Sequence, residues 1–321
     1  MVKVAIVGAG GIAQTHLKVL AENEDVRMVA VCDVVKESAE KAALAYGMKS
    51  YTDFDSMLDR EQIDALFVCV PPFGHEDIEE KAAAKNIHLL VEKPIGLDMA
   101  SARRKAEAIK SSGIIAASGY CLRYIDVVEQ ARHYLADKPI GMVSAHYLSG
   151  FVNTPWWRDL AKSGGQLIEQ ATHTVDLVRY LAGEIRSVYG LMGYGLLEDK
   201  AGATIPSVVT VGLDFVSGAV GHIDTACIQP DWRNAVEVMG KDYRLTLSGK
   251  SLTITEPNRT TTLEGKTQNM YKEQDDAFIE AVRTHNPALP RSSYANALHT
   301  LEVSLAAYES ARDERRVKLH F

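Results

Sequence analysis

The stretch Val4-Ala5-Ile6-Val7-Gly8-Ala9-Gly10-Gly11-Ile12-Ala13 constrains this chain more than any other. Four apolar residues of strand type run into three glycines, and the residues that follow can continue as a helix. Strand, glycine turn and helix in that order are what a dinucleotide pyrophosphate requires. Gly8 permits the tight turn, Gly10 lets the backbone approach the phosphates, and Ala13 is small enough for helix and strand to pack closely. Gly11 and Ile12 open the helix, whose unpaired N–H groups and positive dipole end face the anion. The helix is amphipathic through Ile12, His16, Leu17 and Leu20. A second apolar run, Val26 to Cys32, ends on Asp33, whose carboxylate can accept both ribose hydroxyls of the adenosine half. Asp33 also repels a 2′-phosphate, so NAD is expected over NADP, although Lys36 offers a nearby counter-charge.

With 321 residues the chain exceeds the size at which one core usually splits, and two domains are expected. A net charge of −7 and the lack of a dense basic cluster argue against a nucleic-acid partner. Nothing approaches the ~18 apolar residues of a membrane span, and the first residues read as strand rather than signal peptide. Cys32, Cys69, Cys121 and Cys227 are widely spaced, which fits buried thiols in a reducing cytoplasm rather than a metal site or disulfide framework.

Strands and helices alternate from residue 1 to about 119, as in a doubly wound parallel sheet, whose ligands bind at the carboxyl ends of the strands. Residues just after each strand therefore matter most. After Ile63–Val70 comes Pro71-Pro72-Phe73-Gly74-His75, a stiffened turn with His75 entering the next helix. After Ile87–Val91 comes Glu92-Lys93-Pro94, and a lysine at that edge is poorly explained by packing. Tyr120 and Arg123 follow the last strand of this part. From residue 120 onward a helix is followed by strands whose apolar residues often alternate, the pattern of an antiparallel sheet with one covered face. The open face of such a sheet predicts a homodimer or homotetramer. Leu197 to Ile205, with a glycine and mixed charges, reads as a mobile loop.

Between the first strands of this second part lie Trp156-Trp157-Arg158-Asp159 and Ser163-Gly164-Gly165-Gln166, and helical spacing runs from Gln166 to Leu181. Glu169 and His173 are four apart and share a face, with Asp176 three further on. Leu167, Ile168, Ala171 and Val175 indicate a buried helix, which favours a site over a surface ion pair.

Gly8–Ala13, Asp33, Pro71-Pro72…His75, Glu92-Lys93-Pro94 and Gly164-Gly165…Glu169…His173…Asp176 occur in the order seen in the Gfo/Idh/MocA oxidoreductases, which include inositol dehydrogenases and glucose–fructose oxidoreductase. The chain resembles that family over nearly its whole length. The resemblance implies an α/β protein: an N-terminal Rossmann dinucleotide-binding domain (residues 1–119) and a C-terminal α+β domain with an open, predominantly antiparallel sheet (120–321). The C-terminal helices are allowed to pack back on the first domain. It also implies NAD, a sugar or polyol substrate, and no metal. Gly8, Gly10, Gly11, Ile12, Ala13, Asp33, Pro71, Pro72, His75, Glu92, Lys93 and Arg158 would then serve the cofactor. Lys93, Tyr120, Arg123, Trp157, Glu169 and His173 would serve the substrate. His173 is the expected base, Lys93 the group that stabilises the alkoxide, and Glu169, where family dehydrogenases commonly have aspartate, the orienting carboxylate.

Two other functions suit the same residues less well. A redox glycosidase would oxidise a ring carbon transiently with no net cofactor turnover. A non-catalytic sugar or NAD sensor would have no need of Lys93 and His173.

Overall fold

The computed structural model describes residues 1–320, which separate into two compact units. Unit 1 comprises Met1–Cys121 and Asn269–Leu298; unit 2 comprises Leu122–Gln268 and the residues from His299 onward.

Unit 1 begins with β1 (Val2–Val7), α1 (Gly11–Ala21), β2 (Val26–Cys32), α2 (Lys36–Tyr46), β3 (Lys49–Tyr51) and α3 (Phe54–Arg60). It continues with β4 (Ala65–Val68), α4 (Ile78–Ala84), β5 (His88–Val91), α5 (Met99–Ser112) and β6 (Ala116–Ser118). The strands are parallel in the order β3-β2-β1-β4-β5-β6. Strand order reverses beside β1, between β2 and β4, which makes the carboxyl end of β1 the switch point where such sheets take ligands. β4 is buried at every position, as expected of a strand covered on both faces. Helix α4 starts at Ile78 rather than at His75, because the prolines lead into a 3₁₀ turn (Pro72–Gly74) and Glu76 adopts a positive φ of 35°.

Unit 2 contains α6 (Asp126–Leu135), β7 (Ile140–Leu148), α7 (Leu160–Ser163), α8 (Gly165–Glu169), α9 (Thr172–Ala182), β8 (Ile185–Gly193), β9 (Val208–Phe215) and β10 (Val220–Ala226). β11 (Arg233–Gly240), β12 (Tyr243–Ser248), β13 (Ser251–Glu256) and β14 (Arg259–Glu264) follow. The chain then returns to unit 1 as α10 (Met270–Thr284), enters α11 (Tyr294–Asp313), and ends in unit 2 with β15 (Val317–Lys318). The nine strands run β14-β13-β12-β11-β7-β10-β9-β8-β15, antiparallel except for the β7–β10 pair. Alternation along each strand sends Val143, Ala145, Val211, Leu213, Ile223 and Val236 to the face covered by α6, α9 and α11. Met142, Tyr189, Leu191 and Val220 remain exposed on the other face. The pattern gives no strand at Arg259–Glu264, where Leu263 is the lone apolar residue; β14 forms there as an edge strand, paired with β13 at all six positions.

Helix α10 belongs to the core of unit 1 although the chain reaches it last. Phe278, Ile279, Ala281 and Val282 pack in one cluster with Val4, Ile6, Leu17 and Phe67, and the Phe67 and Phe278 rings meet edge to face at 5.5 Å.

Candidate active site

In unit 1 the glycine stretch forms the turn that its sequence predicts. Gly8 has φ +88°, and a Cβ there would strike the carbonyl oxygen of Cys69 at the end of β4. Only glycine fits both the conformation and the gap. Gly10 caps α1 with no side-chain hydrogen bond, and a Cβ on Gly10 or Gly11 would point into open space. The first turn of an eleven-residue helix thus presents its amides without a competing side chain and without an acidic residue. Asp33 follows β2; its Oδ2 accepts the Ala9 N–H at 2.7 Å and its Oδ1 the Val35 N–H at 2.8 Å. A carboxylate offers about four lone-pair sites, so these bonds orient Asp33 and leave capacity for ribose hydroxyls. Val34, next to it, is 91% exposed. These residues fit a bound NAD.

His75 is buried, and its Nδ1 lies 2.6 Å from Glu79 of α4. Glu79 also pairs with Lys105 at 2.9 Å. Burial raises the Glu79 carboxyl, but the His75 and Lys105 charges outweigh it and hold it below the usual range. His75 Nε2 has no hydrogen-bond partner among the described residues. Glu92, expected at the cofactor, is only 3% exposed and bonds within the protein: Oε1 to His16 at 3.1 Å, and Oε2 to the Lys93 N–H at 3.1 Å. Lys93 is half-buried at the carboxyl edge of the sheet, and the Lys93–Pro94 peptide is cis. Tyr120, beyond β6, is buried.

In unit 2 the turn Trp156–Asp159 holds several groups at once. The buried Trp157 packs with Leu197, Ile205 and Cys227, and its indole N–H donates to Glu169 Oε2 at 2.7 Å. Arg158, assigned from the sequence to the cofactor, instead gives its guanidinium to the carbonyls of Ala201 (2.9 Å) and Asn153 (2.7 Å). Thr204 completes the connection by donating its N–H to Arg158 O and accepting the Leu160 N–H. The segment Leu197–Ile205, expected to be mobile, is therefore fastened to this turn by an apolar cluster and several hydrogen bonds.

The helical run expected from Gln166 to Leu181 is broken. α8 ends at Glu169, the Ala171 N–H reaches back five residues to Gln166 O at 2.8 Å, and α9 starts at Thr172. Gly164 caps α8 and Gly165 opens it, with φ of +72° and +76°, and a Cβ on Gly165 would meet the Tyr308 hydroxyl. From Ala171 to Arg179 every residue is buried except His173. Asp176, one turn further on, accepts both Arg123 bonds, from Nε at 2.7 Å and Nη2 at 2.6 Å, and a third from Thr300 Oγ1 at 3.0 Å. The Arg123 guanidinium also lies 4.5 Å over the Tyr180 ring. Arg123, expected at the substrate, is thus engaged by a buried carboxylate and an aromatic face.

Two family models cover most of the chain. An oxidoreductase family with an NAD-binding Rossmann fold matches residues 2–120, and the GFO/IDH/MocA C-terminal domain matches residues 128–246. The chain belongs to the Gfo/Idh/MocA oxidoreductases. It is an NAD-dependent oxidoreductase. It is 27% identical to scyllo-inositol 2-dehydrogenase (NAD(+)) of Bacillus subtilis, over 99% of this chain and 96% of that protein. It is 25% identical to myo-inositol 2-dehydrogenase of Thermotoga maritima, over 99% and 98% of the two chains. GenD2 from gentamicin A biosynthesis, solved in complex with NAD, superposes with a TM-score of 0.87 at 25% identity, over 100% of this chain and 97% of that one. Among the described residues no cluster of side chains could hold a metal ion, and no helix is long and apolar enough to cross a membrane.

Proposed function

We propose that this family member oxidises a secondary alcohol of a sugar, inositol or related polyol, with His173 as base and Lys93 stabilising the alkoxide. The observation that carries this reading is the isolation of His173, the one residue from Ala171 to Arg179 that is not buried. A histidine needed for packing alone would have no reason to be the exception.

Gly8, Gly10, Gly11, Ile12 and Ala13 would hold the pyrophosphate, Asp33 the adenosine ribose, and the Pro71-Pro72 turn with His75 Nε2 a further part of the cofactor. Bound NAD supplies a nicotinamide carbon that accepts a hydride. The alcohol proton must leave at the same time, and an imidazole with an ordinary pKa of about 6.5 can take it near neutrality. The Lys93 ammonium opposes the negative charge that develops on the oxygen. Glu169, fixed by the Trp157 indole, orients a substrate hydroxyl or His173; Trp157 thereby serves the substrate through Glu169, and Tyr120 completes the proposed substrate set. The names of the inositol dehydrogenases among the relatives support the polyol class. We assign the uncovered sheet face, with Met142, Tyr189, Leu191 and Val220, to contact between copies in a homodimer or homotetramer.

The test is a panel of inositols, aldoses and anhydrosugars with NAD and with NADP, followed at the nicotinamide absorbance. Net NADH formation with at least one member is expected. Conversion of a sugar with no net NADH would replace this reading with the redox-neutral one.

A further inference from the structure

Unit 1 encloses a chain of ionisable groups that neither the cofactor cradle nor the alcohol chemistry uses directly. His16 of α1 is fully buried, with Nδ1 2.7 Å from Asp275 Oδ2 of α10 and Nε2 3.1 Å from Glu92 Oε1. Asp275 is equally buried. The other Glu92 oxygen accepts the backbone N–H of Lys93. The His16 ring also meets Phe67 at 5.3 Å and the Tyr271 ring edge-on at 5.8 Å, which fixes its plane. Burial opposes a charge on this imidazole, but Asp275 and Glu92 outweigh burial and raise its pKa to about 10, while burial also pushes the Asp275 carboxyl up.

Three charged groups in a core are weak evidence of stabilisation, because well-packed apolar residues of the same volume usually do as well or better. The surroundings have nevertheless been shaped to keep them. A Cβ on Gly119 would lie 2.5 Å from Glu92 Oε1 and 2.8 Å from Oε2, so residue 119 must lack a side chain for the carboxylate to occupy its place. Gly119 beyond β6 and His16 in the middle of α1 thus meet at one carboxylate, α10 reaches it through His16, and that carboxylate holds the residue after it.

We propose that Asp275, His16 and Glu92 form a positioning relay for Lys93: Asp275 of α10 holds the His16 ring, the ring holds the Glu92 carboxylate, and the carboxylate fixes the Lys93 backbone. The relay rests on the reading of Lys93 as the group that stabilises the alkoxide. It gives α10 a function, since its Asp275, 259 residues from His16 in sequence, anchors the chain of bonds that leads to Lys93. A displacement of about 1 Å at a reacting group can cost ~10²-fold in rate, which is the scale on which such a relay acts.

Two variants of the full-length protein test it. Asp275→Asn removes the far charge; Gly119→Ala leaves every charge in place and displaces the Glu92 carboxylate sterically. Amide hydrogen exchange at Lys93, measured without substrate, should accelerate at least ~10-fold in both variants as the Glu92 bond is lost. With a polyol that the wild type oxidises, kcat should fall roughly 10–100-fold in each, while the Kd for NAD changes less than ~3-fold. On a Lys93→Met background neither change should lower the residual rate further, because both act through Lys93. Wild-type exchange and kcat in folded Gly119→Ala, or losses that multiply with that of Lys93→Met, would overturn the relay. A Lys93→Met enzyme with wild-type kcat would instead remove the assignment of Lys93, and the relay with it. If Asp275→Asn does not fold, Gly119→Ala decides the matter alone.

Discussion

Asp176→Ala separates a structural carboxylate from a ligand-binding one, and its magnitude follows from the packing around it. The carboxylate is 1% exposed and accepts three hydrogen bonds, two of them from Arg123 in a fork. Removing it takes two hydrogen bonds and a counter-charge from a guanidinium that is itself only 3% exposed. Breaking a buried pair by deleting one partner costs about 3–5 kcal/mol, because the remaining charge is uncompensated. At about 2–4 °C per kcal/mol for a unit of this size, the melting transition should drop by about 6–20 °C. The paired change Arg123→Met with Asp176→Leu removes both charges and should recover most of that loss. Differential scanning calorimetry reads the stability, and turnover per folded molecule reads the function. The paired variant should keep turnover within ~10-fold of wild type, since the two groups hydrogen-bond each other. An Asp176→Ala protein within 1 °C of wild type, or a stable paired variant with no turnover, would refute the reasoning and return Arg123 to the substrate.

Replacing Asp33 with Ser should raise kcat/KM for NADP relative to NAD by at least ~10-fold, because the charge that repels a 2′-phosphate is gone; an unchanged ratio contradicts the role of Asp33. His16 provides a pH dependence of stability with a definite sign. Its folded pKa of about 10 lies above the usual 6.5, so its stabilisation is complete below pH 6.5 and is lost as pH rises toward 10. The slope approaches about 1.4 kcal/mol per pH unit between those values, and a melting temperature flat from pH 7 to 10 relative to His16→Gln would contradict it.

Much of the fold was legible because period and punctuation agree with it. The glycine loop, the apolar β4 run and the alternating strands each carry their own signal, and local signals survive folding. The strand at Arg259–Glu264 was not legible, since an edge strand of threonines needs only backbone pairing with β13. The helix break at Gln170–Ala171 was hidden because apolar spacing continues across it. For the candidate site, the positions of the side chains after the strand ends and in the Gly-Gly segment were legible, but their partners were not. Arg123 and Arg158 read as ligand groups because an arginine's partner cannot be seen locally; Asp176 and the Ala201 carbonyl claim them through the tertiary fold. His16 carried one signal, a titratable residue in the otherwise apolar stripe of Ile12, Leu17 and Leu20. Asp275 carried none, being brought to His16 only when α10 packs on α1.

The central claim is that His173 moves the proton while the glycine loop and Asp33 hold the cofactor. Its most direct test is His173→Ala, with kcat, NAD affinity and melting temperature measured on the same preparation. The account predicts a fall in kcat of roughly 10²–10⁴-fold with NAD affinity and melting temperature nearly unchanged. A lowered melting temperature with turnover per folded molecule intact would make His173 a packing residue and contradict the account.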